Sequence, residues 1–326
     1  MDDRAAEGEE EIVRVLSPDG TANPAVDPHL SPERVRELYE AMVLARRLVD
    51  ALRDRAGADR LGWLPRLDGA EAAVIGAAST LREGDWLFGR PRDLAATLLR
   101  GASLTRVAQQ AFAAADGPDR GRRLPGVPAS RGHRIGSVGP APANHIPHAV
   151  GVAWAAARHA GEDTVVLATL EGAEVDAADF HTGVNFAGVL AAPVVLSCRT
   201  RPGEPSAAGA GVAYGVEGVR CDGTDLLAVV RTVADAVSRA SRGDGPMLVD
   251  LVLGGESPLP RTRRHLEGLG AWDDGRQEAL DASTADRVEA VLAAAEELPG
   301  PHPATLVEDV YAELPPHLAR VRARIA

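Results

Sequence analysis

The chain reads as an α/β protein built on a doubly wound parallel sheet, and three observations predict it. Thr164 to Thr169 (TVVLAT) and Pro193 to Cys198 (PVVLSC) are apolar, β-branched runs, too short for helices and suited to strands buried on both faces. Between them AADFHTGVNFAGVL places Phe180, Val184, Ala187 and Leu190 at helical spacing, so that strand, loop (EGAEVD, Glu171 to Asp176), helix and strand form a βαβ unit. The alternation returns later, with a helical stretch from Thr224 to Ser241 followed by the strand MLVDLVL, Met247 to Leu253.

The remaining elements follow in chain order. The N-terminal MDDRAAEGEEEI is acidic, not basic-then-apolar as in a secretory signal. Residues 1–30 are therefore expected to be a flexible solvated tail ahead of a single domain over 31–326, in a cytoplasmic protein. Ser31-Pro32-Glu33 starts a helix, with a hydroxyl as N-cap, proline in the first turn and an acid near the positive helix end. Val35, Leu38, Met42, Ala45, Val49 and Leu52 then form one apolar stripe up to Gly57. A second helix is expected from Gly69 to Leu81, a loop from Asp85 to Asp93 (DWLFGRPRD) and a third helical stretch from Leu94 to Ala115.

Residues 116–144 are dense in Gly and Pro and carry Arg120, Arg122, Arg123, Arg131 and Arg134. Loops this long inside compact domains are usually functional or mobile. The arginines could face an anionic ligand or an acidic partner, or simply be solvated. His145 to Ala160 reads as a helix whose small residues allow close packing, residues 254–282 as an irregular charged stretch, and Ala285 to Leu298 and Pro303 to Arg322 as C-terminal helices.

Composition narrows the function. The 326 residues are 45% hydrophobic and carry a net charge of −12, with no lysine: all 35 basic residues are arginines. This argues against a general nucleic-acid binder and removes lysine Schiff-base chemistry. No apolar run reaches the roughly 18 residues of a membrane span. Cys198 and Cys221 make neither a disulfide framework nor a zinc site, and Cys198 reads as a core filler.

Several segments together resemble the alpha subunit of the thiamine-diphosphate-dependent dehydrogenase component of 2-oxo acid dehydrogenase complexes, of the pyruvate and branched-chain type. LYEAMVLARRLVDALRDRAG (Leu38 to Gly57) is similar to the family's opening helix, and RLGWLPRLDGAEAAVIGAA to its glycine-x-Glu-Ala helix. DWLFGRPRD stands at the family's Tyr-Arg loop, and PANHIPHAVGVAWAA resembles the next helix. GEDTVVLATLEGAEVDAADFHTGVNFAGVLAAPVVLSC resembles the cofactor unit and VEDVYAELPPHL a C-terminal segment.

The resemblance implies a thiamine-diphosphate-binding fold, with cofactor held between alpha and beta chains in a heterotetramer. The alpha chain would grip the diphosphate through magnesium, and the beta-type partner would supply the glutamate that activates the thiamine ring. Magnesium takes oxygen ligands in near-octahedral geometry. The family draws them from an acid in a Gly-acid-Gly loop and an asparagine after the next strand.

Here that loop falls on Glu171, Gly172 and Ala173, with Gly172 at the acid's place, and the asparagine's place is Arg201, after Arg199 and Thr200. A guanidinium cannot ligate a cation, but Arg201 could pair with an anion bidentately. Glu171 could serve as the acid if the loop shifts. Arg92 keeps the arginine of the Tyr-Arg loop and is the best single anion contact. The candidate cofactor-binding residues are thus Arg92, Glu171, Gly172, Ala173, Arg199 and Arg201, with magnesium in doubt.

Gly254 and Gly255 stand at a second Tyr-Arg place, Leu259 stands near the family's histidine, and His265 is displaced from it. The connection from Arg201 to Tyr214 is shorter than the family's. Asp179, Phe180, His181 and Asn185 match the family helix as framework residues. His145 and His148 share a helix face, but no acid or cysteine converges with them, so they are not expected to form a metal pair. Two readings follow: a subunit supporting oxidative decarboxylation of a pyruvate or branched-chain 2-oxo acid with a beta-type partner, or a non-catalytic subunit that assembles with or regulates that partner.

Overall fold

The computed structural model describes residues 12–55, 65–67, 69–121, 129–161, 163–308 and 311–325. Residues 1–11, Gly57, Arg122 and Arg123, which enter the expectations above, lie outside the described residues.

Among the described residues, six parallel strands form one sheet: β1 Ile12–Val13, β2 Trp86–Phe88, β3 Val166–Glu171, β4 Val194–Thr200, β5 Glu217–Asp222 and β6 Met247–Val252, in the order β1-β5-β6-β4-β3-β2. The uninterrupted β-branched runs of β3 and β4 bury both faces, as the sequence predicts. In register, Val166 lies beside Val194, and Val195 beside Met247. The doubly wound parallel sheet is therefore observed.

Helices cover both faces. On one side α5 (His145–Ala155), α6 (Ala178–Leu190) and α7 (Ala207–Val212) pack Ile146, Phe180, Val184 and Ala207 against Val194, Leu196 and Leu248. On the other, α1 (Pro32–Asp54), α2 (Glu71–Ala78) and α8 (Leu226–Ser241) pack Leu38, Met42, Ile75 and Val229 against Leu167, Val195 and Leu251. Beyond α3 (Ala96–Leu99), α4 (Leu104–Ala111) joins a third cluster, where Val107 and Phe112 meet Leu48 and Leu52 of α1 and Val288 and Leu292 of a later helix. The steps from β3 to β4 and from β4 to β5 run through α6 and α7; the return from β5 to β6 runs through α8, inserting β6 between β4 and β5. Such a reversal opens a crevice at the carboxyl ends of the strands, where ligands bind in open α/β sheets.

The structure differs from the sequence expectations at five places. The expected tail is anchored from Ile12 onward: β1 pairs with β5, and the buried Val15 and Leu16 donate their N–H groups to Asp225 Oδ2 at 2.7 and 2.6 Å. β2 lies inside the expected 85–93 loop, short enough to leave no periodic signal. The expected 94–115 helix breaks into α3 and α4 at Gly101, whose φ is +90°. Residues 254–282 hold α9 (Pro258–Gly268) and the start of α10 (Asp274–Glu296), the latter capped by Asp273. The expected 303–322 helix likewise divides into α11 (Thr305–Glu308) and α12 (Pro316–Ile325). The described part of 116–144 carries only isolated bridges from Ile135 to Leu87 and Ser130. Cys198 in β4 and Cys221 in β5 are both free and buried. No helix among the described residues is long and apolar enough to cross a membrane.

Candidate functional site

β3 and β4 bring Glu171 and Arg199 side by side at their carboxyl ends, where the two are register partners. The Arg199 side chain is only 1% exposed, so its guanidinium needs carboxylate partners to offset lost hydration. It has two. Nη1 and Nη2 donate to the two oxygens of Asp93 at 2.6 and 3.1 Å, while Nε and Nη2 donate to Glu171 Oε1 at 3.1 and 2.8 Å. Asp93 belongs to a 3₁₀ turn, Pro91–Asp93, directly after β2. Its carboxylate also accepts the Arg90 N–H at 2.8 Å and the Thr169 hydroxyl.

Arg92 lies in the same turn and donates Nε to Glu171 Oε1 at 3.0 Å and Nη1 to the carbonyls of Arg66 and Leu67. One carboxylate oxygen thus accepts three N–H groups from two arginines. Burial pushes the Glu171 pKa up, but the nearby Arg199 and Arg92 charges and their hydrogen bonds outweigh it and hold the carboxyl below its ordinary value. Burial opposes the charge on Arg199 too, and the Asp93 and Glu171 carboxylates overcome it.

A second layer supports the first. The 3₁₀ turn Gly172–Glu174 places Glu174 to accept the Ala143 N–H at 2.8 Å and the Glu171 N–H at 2.9 Å, with Arg90 Nε 3.3 Å away. His145, fully buried at the start of α5, donates Nε2 to the Thr169 carbonyl at 2.7 Å, and burial lowers its pKa. His148, one turn on, is exposed. Among the described residues no three His, Cys, Asp or Glu side chains converge to hold a metal.

The structure therefore brings together Arg92, Glu171 and Arg199 of the sequence candidates. Gly172 and Ala173 form the turn beside them. Arg201 departs on an exposed loop, its N–H donating to Glu204 Oε2 at 2.9 Å. That same Glu204 oxygen lies 2.5 Å from the position a Cβ on Gly172 would take, so a neighbouring loop's carboxylate fills the space of a side chain at 172. Sequence reasoning missed Asp93, Glu174, Arg90 and Glu204. Asp93 and Arg90 flank Arg92 in GRPRD, and Glu174 follows Glu171 in EGAE, but nothing local reveals their partners.

The β6 end departs as well. An added Cβ on Gly254 would lie 2.1 Å from Pro202 Cγ, and one on Gly255 would lie 2.7 Å from Thr224 Oγ1, so neither position has room for a side chain. His265 is turned elsewhere, with Nδ1 2.9 Å from the Gly20 carbonyl. Beside these glycines, Pro202, Arg220, Asp222 and Arg261 line an open cleft of about 890 Å³.

Comparison with known proteins bears on this geometry. The model of the family described as "Dehydrogenase E1 component" matches residues 39–253, which span every strand except β1. The chain belongs to the dehydrogenase E1 component family. Across 97% of its length it is 28% identical to 2-oxoisovalerate dehydrogenase subunit alpha, mitochondrial, of Mus musculus, covering 79% of that protein. It is 30% identical, again across 97%, to 3-methyl-2-oxobutanoate dehydrogenase subunit alpha of Mycobacterium tuberculosis, covering 93% of it. With 2-oxoisovalerate dehydrogenase subunit alpha of Pseudomonas aeruginosa the identity is 30% across 96% of this chain and 87% of the relative.

The magnesium and thiamine diphosphate that the E1 resemblance implies do not fit the residues this E1 chain presents. Gly172, where the resemblance sets the acid, faces Glu204; Arg201, where it sets the asparagine, carries a guanidinium; and Glu171 is already bound to two arginines. Hard-cation coordination needs oxygen donors clear of fixed positive charge, and the Glu171 carboxylate lies against two guanidiniums.

Proposed function

We propose that this chain is the alpha-type subunit of a branched-chain 2-oxo acid dehydrogenase, a cytoplasmic protein that assembles with a beta-type partner in a heterotetramer. The observation that carries the reading is the near full-length similarity to alpha subunits, with β2 to β6 of the matched region set in one parallel sheet. Exposed apolar side chains support a partner. Phe186 and Val189 of α6 are 50% and 74% exposed, Val212 of α7 is 72% exposed, and a His181–Tyr214 hydrogen bond at 2.8 Å ties α6 to the segment after α7. Large apolar residues gathered on one face commonly mark an interaction surface.

Within the assembly, oxidative decarboxylation would need this chain to hold the cofactor's diphosphate. The filled ion-pair network and the Gly172 and Arg201 replacements favour a second role, a non-catalytic subunit that stabilises or regulates its partner. Co-expression with a beta-type chain from the same genome tests the assembly. The expected result is one complex that survives size exclusion with equal amounts of both chains; separate elution of the two chains would remove the alpha-type reading. Assay of that complex with branched 2-oxo acids then separates the two roles, since turnover by this pair alone would establish the catalytic one.

A further inference from the structure

At the carboxyl ends of β2, β3 and β4 the arginines Arg90, Arg92 and Arg199 face the acids Asp93, Glu171 and Glu174, so the positive charge available to an incoming anion is already matched. We infer that the Glu171 carboxylate is a built-in anion, seated between Arg92 and Arg199 where an external diphosphate would otherwise bind, and that this chain's cofactor seat is closed by its own side chains. The inference deepens the alpha-type reading, on which it rests for the identity of the excluded ligand; the occupancy of the arginines stands on geometry.

Three contacts close the seat. Glu171 Oε1 holds Arg92 Nε at 3.0 Å and Arg199 Nε and Nη2 at 3.1 and 2.8 Å, so both guanidiniums point at it. Asp93 takes another face of Arg199 through two parallel hydrogen bonds, a geometry that matches the guanidinium fork and, with the two bonds to Glu171, occupies four of its N–H donors. Glu204 adds a carboxylate above Gly172, so a second negative charge borders the turn that an anion would have to approach. An external diphosphate would have to displace Glu171 and leave that carboxylate half-buried without its partners, at a cost the new contacts would first have to offset. A divalent cation fares no better, because the same carboxylate lies against two fixed positive charges.

Calorimetric titration of the purified full chain, and of the co-purified pair, with magnesium thiamine diphosphate and with inorganic pyrophosphate tests this. The parent chain is expected to give no saturable heat with either ligand. Glu171→Gln, which keeps the side-chain shape and removes the charge, is expected to bind pyrophosphate at least about tenfold more tightly than the parent, the effect of freeing one charge-assisted pair. Saturable binding of one magnesium thiamine diphosphate per parent chain would overturn the inference, and so would a folded Glu171→Gln chain with no gain. Circular dichroism establishes whether the variant folds; where it does not, the parent titrations decide, saturable binding overturning the closed seat and its absence upholding it. Failure to pair with a beta-type chain sinks the alpha-type reading and leaves the titrations of the full chain intact.

Discussion

Arg199 and Asp93 meet through two parallel hydrogen bonds, Nη1 to Oδ1 at 2.6 Å and Nη2 to Oδ2 at 3.1 Å, with both side chains 1% exposed. The pair joins β4 to the turn after β2 and passes over the end of β3, so three strands are tied at the edge where a ligand would bind. A buried pair of this kind adds little over a well-packed apolar alternative, yet removing one member strands a charge.

The first prediction follows from that asymmetry. Asp93→Asn is expected to destabilise the chain by about 3 kcal/mol or more, because Arg199 keeps its charge and loses its bidentate partner. Arg199→Lys is expected to be destabilising too, since an ammonium cannot reproduce the fork that spans Asp93 and Glu171. Urea unfolding checks both, with a shifted midpoint and an unchanged slope; a midpoint like the parent's for Asp93→Asn would show that the pair does not hold the site.

The pH dependence has a definite sign. Glu171 has a pKa held below its ordinary value, so the folded state keeps it ionised where the unfolded chain would protonate it. Its contribution to stability is full above the unfolded value of about 4.3 and is lost as pH falls through the lower folded value. Parent stability should therefore drop more steeply below about pH 4.3 than that of Glu171→Gln. Parallel stability curves for the two proteins would show that the arginines do not bias this carboxylate.

The same contacts explain what the sequence could and could not reveal. The 164–198 unit was legible because both its strands are uninterrupted buried runs and its helix carries a clear apolar stripe. β1 and β2 have two and three residues, and such short edge strands take their conformation from β5 and β3, not from any pattern of their own. α9 was hidden by Pro258, Pro260 and its arginines, although proline suits a first helical turn, and the helix buries Arg261, Thr262, His265 and Leu266. At the site, the likeness to the Tyr-Arg loop led to Arg92, and Glu171 entered as the neighbour of Gly172. The partner of Arg199 lies 106 residues away, and only the folded sheet reveals it.

Asp225 makes the N-terminal arm part of the fold. Its Oδ2 accepts the Val15 and Leu16 N–H groups, and its Oδ1 accepts those of Leu227 and Ala228 at 3.0 and 3.1 Å as the cap of α8. Asp225→Ala should lose roughly 1 kcal/mol of capping and a further roughly 1–3 kcal/mol from buried N–H groups left without an acceptor. Hydrogen exchange should speed up at Val15 and Leu16 as well as in the first turn of α8. Unchanged protection of the arm would show that strand pairing alone anchors it.

Pro202 leaves no room for a side chain at Gly254, the first of the two glycines where the resemblance sets a second Tyr-Arg pair. The connection after β4 turns back over the end of β6, and an added Cβ on Gly254 would lie 2.1 Å from Pro202 Cγ and 2.5 Å from Cδ, a rigid ring that cannot swing aside. Gly254→Ala is therefore expected to cost about 1–3 kcal/mol through overpacking. Pro202→Gly removes the ring and should recover most of that loss in the double variant, giving a coupling of about 0.5–3 kcal/mol in a double-mutant cycle. Additive effects of the two substitutions would mean that the loop yields freely, and the glycine would then need another cause. Coupling, by contrast, would tie the glycine at 254 to the course of the 201–214 connection. Restoring a tyrosine at 254 would then succeed only together with a longer 201–214 connection.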